Sequence, residues 1–110
     1  MHLKKQQIVL LLRKLAGKMQ IKKSKPIEKI KKGDIVSVDG KNYEVDSHYV
    51  LIDHGRTKEM TIELFDPKAK EDEGDFQLRY FQDQIEETLE FYELVKGVMY
   101  EKKSFEKIEW

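Results

Sequence analysis

The sequence predicts an α+β fold that is mainly β: an N-terminal amphipathic helix on a small antiparallel barrel or curled meander. Two observations support this class. Near the N-terminus apolar residues recur at helical spacing, whereas from Gly33 onward they alternate with polar residues, as they do on β-strands. The strand-like runs are short and are separated by close turn signals, which is typical of small all-β domains.

The predicted helix spans residues 3–19. Its apolar stripe consists of Ile8, Leu12, Leu15 and Met19. Basic residues occupy most of the opposite side, but Leu10 lies among them and Leu11 flanks the stripe. We expect the stripe to pack on the β domain. A dimer seam is the next interpretation and a membrane-surface helix the last, so Leu10 and Leu11 are candidate interface residues.

The chain divides into three predicted parts. The helix occupies 1–19, a basic linker occupies 20–32, and an antiparallel β domain occupies 33–110. A chain of 110 residues fits one domain with an appended element. Within the linker, Ile27 and Ile30 are the positions at which we expect contact with the body of the protein.

Two hairpins are predicted between residues 33 and 66. The first turns at Asp39–Lys41, because Asp-Gly between β-branched residues supplies the positive φ that a tight turn needs. The second turns at His54–Thr57. Residues 84–95 fit both a helix and an aromatic-rich strand, and we favour the strand because strands are predicted on either side.

The segment from Lys32 to Val45 resembles the opening hairpin of SH3-like barrels. It is similar to the first domain of elongation factor P, in which a Gly-Asp pair starts one strand and an Asp-Gly turn precedes an aromatic residue and a Val. The resemblance implies the fold alone. That family presents a modified lysine on a Gly-rich loop, and the corresponding loop here, Asp53–Lys58, lacks the second glycine.

The charge of the chain is strongly asymmetric although its sum is zero. Residues 1–32 hold eleven Lys or Arg and one acid, whereas residues 33–110 hold ten Lys or Arg and twenty acids. The densest basic run consists of Lys22, Lys23, Lys25, Lys29, Lys31 and Lys32. It could neutralise phosphates of a nucleic acid, or it could lie on the acidic body of the same chain or of a partner.

We expect a non-enzymatic interaction module, and we favour a protein partner or self-association because the acidic body would repel a polyanion. Binding of nucleic acid through the basic run is the alternative. Arg56 and Lys58 are further candidate binding residues, and Trp110, at the end of the sequence, is a candidate interface residue.

The turn at His54 supports a third, less favoured hypothesis. Asp53 and His54 beside Arg56 and Lys58 could perform acid–base chemistry on a phosphodiester, as in a nuclease-like enzyme. A solvated hairpin turn explains the same residues. We therefore predict no catalytic residues, no cofactor and no small-molecule ligand, and no metal site, because the spacing of His48, Asp53 and His54 matches no familiar one.

The sequence contains no cysteine, which excludes disulfides, thiolate metal sites and cysteine catalysis and favours a reducing cytoplasm. The apolar run at residues 8–12 is ended by Arg13 and Lys14. No run approaches the roughly 20 apolar residues that a membrane span needs. We therefore expect a cytoplasmic protein without a membrane span.

Overall fold

The computed structural model describes residues 19–70 and 74–110, which form one mixed eight-stranded sheet with the order β1-β8-β2-β3-β4-β5-β6-β7. The strands are β1 (Gln20–Lys22), β2 (Ile35–Val38), β3 (Lys41–Asp53), β4 (Lys58–Phe65), β5 (Asp75–Phe81), β6 (Glu90–Val95), β7 (Met99–Lys103) and β8 (Lys107–Glu109). The helical elements of the described residues are a 3₁₀ turn at Ile27–Lys29 and the short helix α1 at Ile85–Thr88. None of these is long and apolar enough to cross a membrane.

Both predicted hairpins are confirmed. Strands β2 and β3 pair antiparallel, and Asp39 and Gly40 between them adopt φ of 49° and 84°. Strands β3 and β4 pair antiparallel on either side of the second turn, which is closed by a 3.0 Å hydrogen bond from the His54 N–H to the Thr57 carbonyl. The pairing of β3 with β4 is irregular at two places, between Val45 and Ser47 and between Val50 and Ile52. These irregularities decide which side chains share a face.

The two faces of the sheet are chemically different. The inner face carries the core, which also includes side chains from the 3₁₀ turn and from the loops. The buried apolar residues are Ile27, Ile30, Val36, Val38, Tyr43, Val45, Ile62, Leu64, Phe76, Leu78, Tyr80, Leu89, Phe91 and Ile108. The outer face carries polar, charged and aromatic side chains. In one row across this face, Tyr49 on β3 lies opposite Thr61 on β4, which lies opposite Arg79 on β5.

The predicted fold class, an N-terminal helix on an antiparallel SH3-like barrel or curled meander, is wrong. The sheet is mixed, because β1 pairs in parallel with β8. No N-terminal helix is present in the part of the chain that the structure describes. The predicted helix at 3–19, including Leu10 and Leu11, lies outside the described residues apart from its last residue. That residue, Met19, is in no helix.

A physical reason explains why the sequence did not predict β1. This strand is three residues long and has one half-buried residue, Ile21, so no alternating pattern could develop within it. Its partner β8 lies at the other end of the chain, and Ile21 is opposite Ile108. A parallel pair needs a long connection rather than a tight turn, so no local turn signal announces it.

Residues 84–95 combine both structures that the sequence allowed. The first part is helix α1, and the rest is strand β6, so the favoured strand is right only from Glu90 onward. The Thr88 hydroxyl joins this helix to the sheet: its Oγ1 accepts a 2.8 Å hydrogen bond from the Phe81 N–H and donates at 2.6 Å to the Gln84 carbonyl.

Candidate functional site

The basic run lies on a segment that is tied to the sheet along its length. Ile27 and Ile30 are 2% and 3% exposed, which confirms the expected contact with the body. Backbone hydrogen bonds to Trp110 also hold the first half of the segment. The Ser24 N–H donates to the Trp110 carbonyl at 2.8 Å, and the Trp110 N–H donates to the Lys22 carbonyl at 3.1 Å. The segment is therefore held by apolar burial and by backbone hydrogen bonds.

Ion pairs hold a minority of its lysines. Lys25 pairs with Asp34, and this hydrogen bond, followed by one from the Lys31 backbone N–H, lowers the pKa of the Asp34 carboxyl. Lys23 approaches Glu86 at 3.4 Å, with both side chains more than half exposed. Such an exposed pair contributes little to stability.

The other four lysines of the run are exposed, and no carboxylate within residues 19–70 and 74–110 lies within 4.0 Å of them. They are Lys22, Lys29, Lys31 and Lys32. The segment is thus docked on the sheet while most of its charge stays available to a ligand.

A shallow groove of about 370 Å³ lies on the outer side of the sheet, at the ends of β1 and β8 and over β2 and the start of β3. It brings together three residues singled out in the sequence, Lys22, Lys23 and Trp110. The full lining is Lys22, Lys23, Ser24, Ile35, Ser37, Asn42, Glu109 and Trp110. The Ile35 side chain is 49% exposed and supplies an apolar surface next to the indole.

One acid lies in this groove. The Glu109 carboxylate pairs with Lys107 at 2.8 Å, and that hydrogen bond lowers the pKa of Glu109, so the side chain is ionised at neutral pH. Lys22 is directly opposite Glu109 in the parallel pairing. Lys107 therefore already pairs with the carboxylate in the groove lining, and Lys22 and Lys23 add two further cations to the groove.

Arg56 and Lys58 do not join this groove. Arg56 is in the turn between β3 and β4, and Lys58 begins β4, whereas β1 lies at the edge of the sheet. The Lys58 carbonyl accepts a 2.9 Å hydrogen bond from the Gln82 N–H, which fixes the end of the hairpin. Both side chains are exposed and do not line the groove.

The residues that the sequence offered for acid–base chemistry or for a metal make the following contacts. Asp53 accepts a 2.9 Å hydrogen bond from the Gly55 N–H and so closes the turn. His54 lies 3.8 Å from Glu59. His48 belongs to the inner side, where its ring bridges the Ile30 carbonyl at 2.8 Å and the Tyr80 hydroxyl at 2.7 Å. Across the described ranges, no group of three His, Asp or Glu side chains could hold a metal ion.

A polar and aromatic cluster on the outer face, which the sequence did not predict, is the second candidate site. We call it the Tyr–Arg cluster, and it consists of Tyr49, Thr61, Glu63, Gln77, Arg79, Tyr92 and Tyr100. Glu63 lies at its centre and accepts hydrogen bonds from Tyr49 at 2.6 Å, from Gln77 at 2.7 Å and from Tyr100 at 3.3 Å. The hydrogen bond to Glu63 is the main cause that raises the pKa of Tyr49 to about 12.

Arg79 is the cationic member of the cluster. Its Nε and Nη2 donate to the side-chain carbonyl oxygen of Gln77 at 2.9 and 2.8 Å. The guanidinium lies 4.1 Å from the centre of the Tyr92 ring and 5.8 Å from that of Tyr100, within the range of cation–π attraction. Gln77 is 5% exposed, and its amide links the acid to the base and holds both in place.

A partial sequence signal for this cluster existed. Thr61 and Glu63 alternate with apolar residues on β4, as Gln77 and Arg79 do on β5, so the alternation puts each pair on the face away from the core. The register that puts Glu63 opposite Gln77 could not be obtained from alternation alone.

Comparisons of the chain with protein-family models, curated proteins and solved structures gave no match.

Proposed function

We propose that this protein is a non-enzymatic module that binds nucleic acid through the exposed lysines of residues 20–32. One observation carries the proposal: the segment is docked on the sheet, yet four of its six lysines hold no carboxylate among the described residues. Lysines that stabilise a fold are expected to be paired with acids. Exposed, unpaired lysines on a fixed segment suit a ligand that brings its own negative charge.

The fixed backbone favours binding. Lys29, Lys31 and Lys32 lie at or directly after the end of a 3₁₀ turn that the buried Ile27 anchors, and Lys22 belongs to strand β1. The main chain between them loses little conformational freedom when a ligand binds, so less of the electrostatic attraction is offset by ordering. Several phosphates could then be neutralised together.

The groove lined by Lys22 and Lys23 suits a base. Trp110 and Ile35 give it an apolar surface, and Ser37 and Asn42 give it hydroxyl and amide groups. An aromatic ring next to cations is the arrangement that stacks bases of single strands while the backbone phosphates remain in contact with lysines. We therefore expect single strands to bind at least as tightly as duplexes.

The acidic body offers less repulsion than its composition suggests, because some of its acids are paired locally. Glu93 lies 3.4 Å from Lys103, Glu90 pairs with Lys102, and Asp66 lies 3.0 Å from Lys41. The first two pairs join β6 to β7. Screening at physiological salt further weakens repulsion by the exposed acids.

Fluorescence anisotropy with labelled oligonucleotides of about 16 residues, single-stranded and duplex, tests the proposal between about 0.05 and 0.2 M NaCl. Affinity is expected to fall linearly with log salt. Lys29→Ala/Lys31→Ala should flatten the duplex slope by about 2, since each phosphate that a lysine neutralises adds roughly 0.9 to it. The control, Lys102→Ala/Lys103→Ala, removes the same charge from strand β7, outside the basic run, and should change the slope little.

Two results would refute the proposal. One is the absence of binding to either oligonucleotide at about 0.05 M NaCl, where electrostatic binding is strongest. The other is equal weakening by the two double variants, which would mean that net charge rather than the basic segment controls binding.

A further inference from the structure

We infer that the apolar part of residues 3–18 docks in a groove at the seam of the sheet and covers the edge of the core there. The groove has a volume of about 370 Å³ and lies between the residue that precedes β1 and the end of β7. These two strands are the edges of the sheet, and within the described residues no backbone hydrogen bond joins them. The sheet therefore leaves a gap at this seam.

The lining of the groove continues the hydrophobic core. Its apolar residues are Met19, Phe81, Leu89 and Phe105. Leu89 belongs to the core, and Phe105 packs against the core and meets the Phe91 ring edge-on. Met19 and Phe81 are half-buried. An apolar side chain placed in the groove would thus extend an existing core rather than start a separate one.

The connectivity of the chain identifies the occupant. Met19 lines the groove, and residue 18 is bonded to it, so residues 3–18 lead directly away from the groove. Leu15 can lie no more than about 14 Å from Met19, even with the chain between them fully extended. A segment tethered at such a distance has an effective concentration on the order of 1 mM, whereas a second copy or another protein has to be supplied from solution.

The composition of this segment requires an apolar surface. Residues 8–12 are Ile, Val and three Leu in succession, and Leu15 follows soon after them. A dense apolar surface on a water-soluble chain generally marks a contact with another surface. The groove supplies such a surface within reach of the leucines.

The charge of the groove also admits this segment. The charged lining residues are Glu87, Glu90, Lys102 and Lys103. Lys102 pairs with Glu90, and Lys103 lies 3.4 Å from Glu93, so both lysines are already offset by acids. Glu87 has no cation within 4.0 Å among residues 19–70 and 74–110. Residues 3–18 hold five Lys or Arg and no acid, so Glu87 attracts them.

Thiol reactivity measures the cover directly, because the chain has no cysteine of its own. Ser104→Cys places a single thiol in the groove lining, and Val98→Cys places one at a side chain that is 81% exposed and does not line the groove. Each is combined, in the complete chain, with Leu12→Ser/Leu15→Ser or with the matched polar control Gln6→Ser/Gln7→Ser. The rate of reaction with a chromogenic disulfide reagent is then compared.

A segment that occupies the groove for about nine-tenths of the time leaves the thiol accessible for about one-tenth of it, so Leu12→Ser/Leu15→Ser should raise the Ser104→Cys rate about tenfold. The polar control should leave that rate unchanged, and neither pair should change the Val98→Cys rate. Circular dichroism verifies the fold. If the double leucine variant does not fold, the milder Leu12→Ala should still raise the Ser104→Cys rate.

Three results would overturn the inference. A Ser104→Cys rate that the leucine substitutions leave unchanged would mean that the segment does not cover the groove. An equal effect of the polar control would mean that apolar contact is not the cause. Protection that weakens as the protein is diluted would mean that a second copy, rather than the same chain, provides the cover.

Discussion

The indole Nε1–H of Trp110 donates a 2.8 Å hydrogen bond to the carbonyl of Lys25. This bond joins the residue directly after strand β8 to the basic segment. The same tryptophan packs against the core and lines the groove beside Lys22. One side chain thus links the docking of the segment to the surface that we propose for nucleic acid.

Replacement of Trp110 by Phe is expected to destabilise the fold by about 1–2 kcal/mol, because the buried side of the ring is largely kept while the Lys25 carbonyl loses its donor. Trp110→Ala should cost more, about 3 kcal/mol or above, since the packing is lost as well. Urea unfolding followed by circular dichroism measures both. Equal stability of the Phe variant and the wild type would show that the hydrogen bond contributes nothing.

The docking of the segment depends on Ile27. Truncation of this buried side chain, Ile27→Ala, is expected to lower the unfolding free energy by about 2–4 kcal/mol. Ile35→Ala is the matched control: the same substitution at a side chain that is 49% exposed should cost less than about 1 kcal/mol. If the two variants were equally stable, the segment would not be held by apolar burial.

The tyrosines predict a loss of stability at alkaline pH. Burial raises the pKa of Tyr80 and of Tyr100 to about 12, and the hydrogen bond to Glu63 does so for Tyr49. A phenol whose folded pKa lies above its unfolded value stabilises the fold below pH of about 10, and that contribution is lost as the pH rises toward 12. Unfolding free energies measured across this window should therefore decline.

A single substitution separates the causes of these shifts. Glu63→Gln removes the carboxylate, so the pKa of Tyr49 should fall toward the ordinary value near 10. Tyr80 has no contact with Glu63 and should keep its raised pKa, because burial is the main cause there. Phenolate absorbance during an alkaline titration reports both groups. A Tyr49 titration that Glu63→Gln leaves unmoved would contradict the assigned hydrogen bond.

The sequence predicted correctly the hairpin turns, which depend on residues close together in the chain. Asp39 and Gly40 specify a hairpin by themselves, because the turn needs positive φ, which Asp tolerates and Gly readily adopts. The pairing of Ile21 with Ile108 joins residues from the two ends of the chain, and β1 is too short to show a period. Its parallel partner was therefore beyond a sequence argument, and this is one reason why the predicted fold class was wrong.

The difference between local pattern and long-range strand pairing also applies to the groove and to the Tyr–Arg cluster. The lysine run was visible as composition, but the groove that joins Lys22 to Trp110 depends on the β1–β8 pairing. The Tyr–Arg cluster depends on the register of strands β3 to β7. Alternation places Glu63 and Arg79 outside the core, whereas only the register brings Glu63 to Tyr49 and Gln77.

The central claim is that the lysines of the docked segment serve a ligand rather than the fold. The most direct test is the unfolding free energy of Lys29→Ala/Lys31→Ala/Lys32→Ala at low and at high salt. We predict a difference from the wild type within about 0.5 kcal/mol at both salt concentrations, as for unpaired surface residues. A loss well above 1 kcal/mol at low salt that shrinks as salt is added would contradict the claim, because it would mean that these lysines are neutralised by the body of the protein.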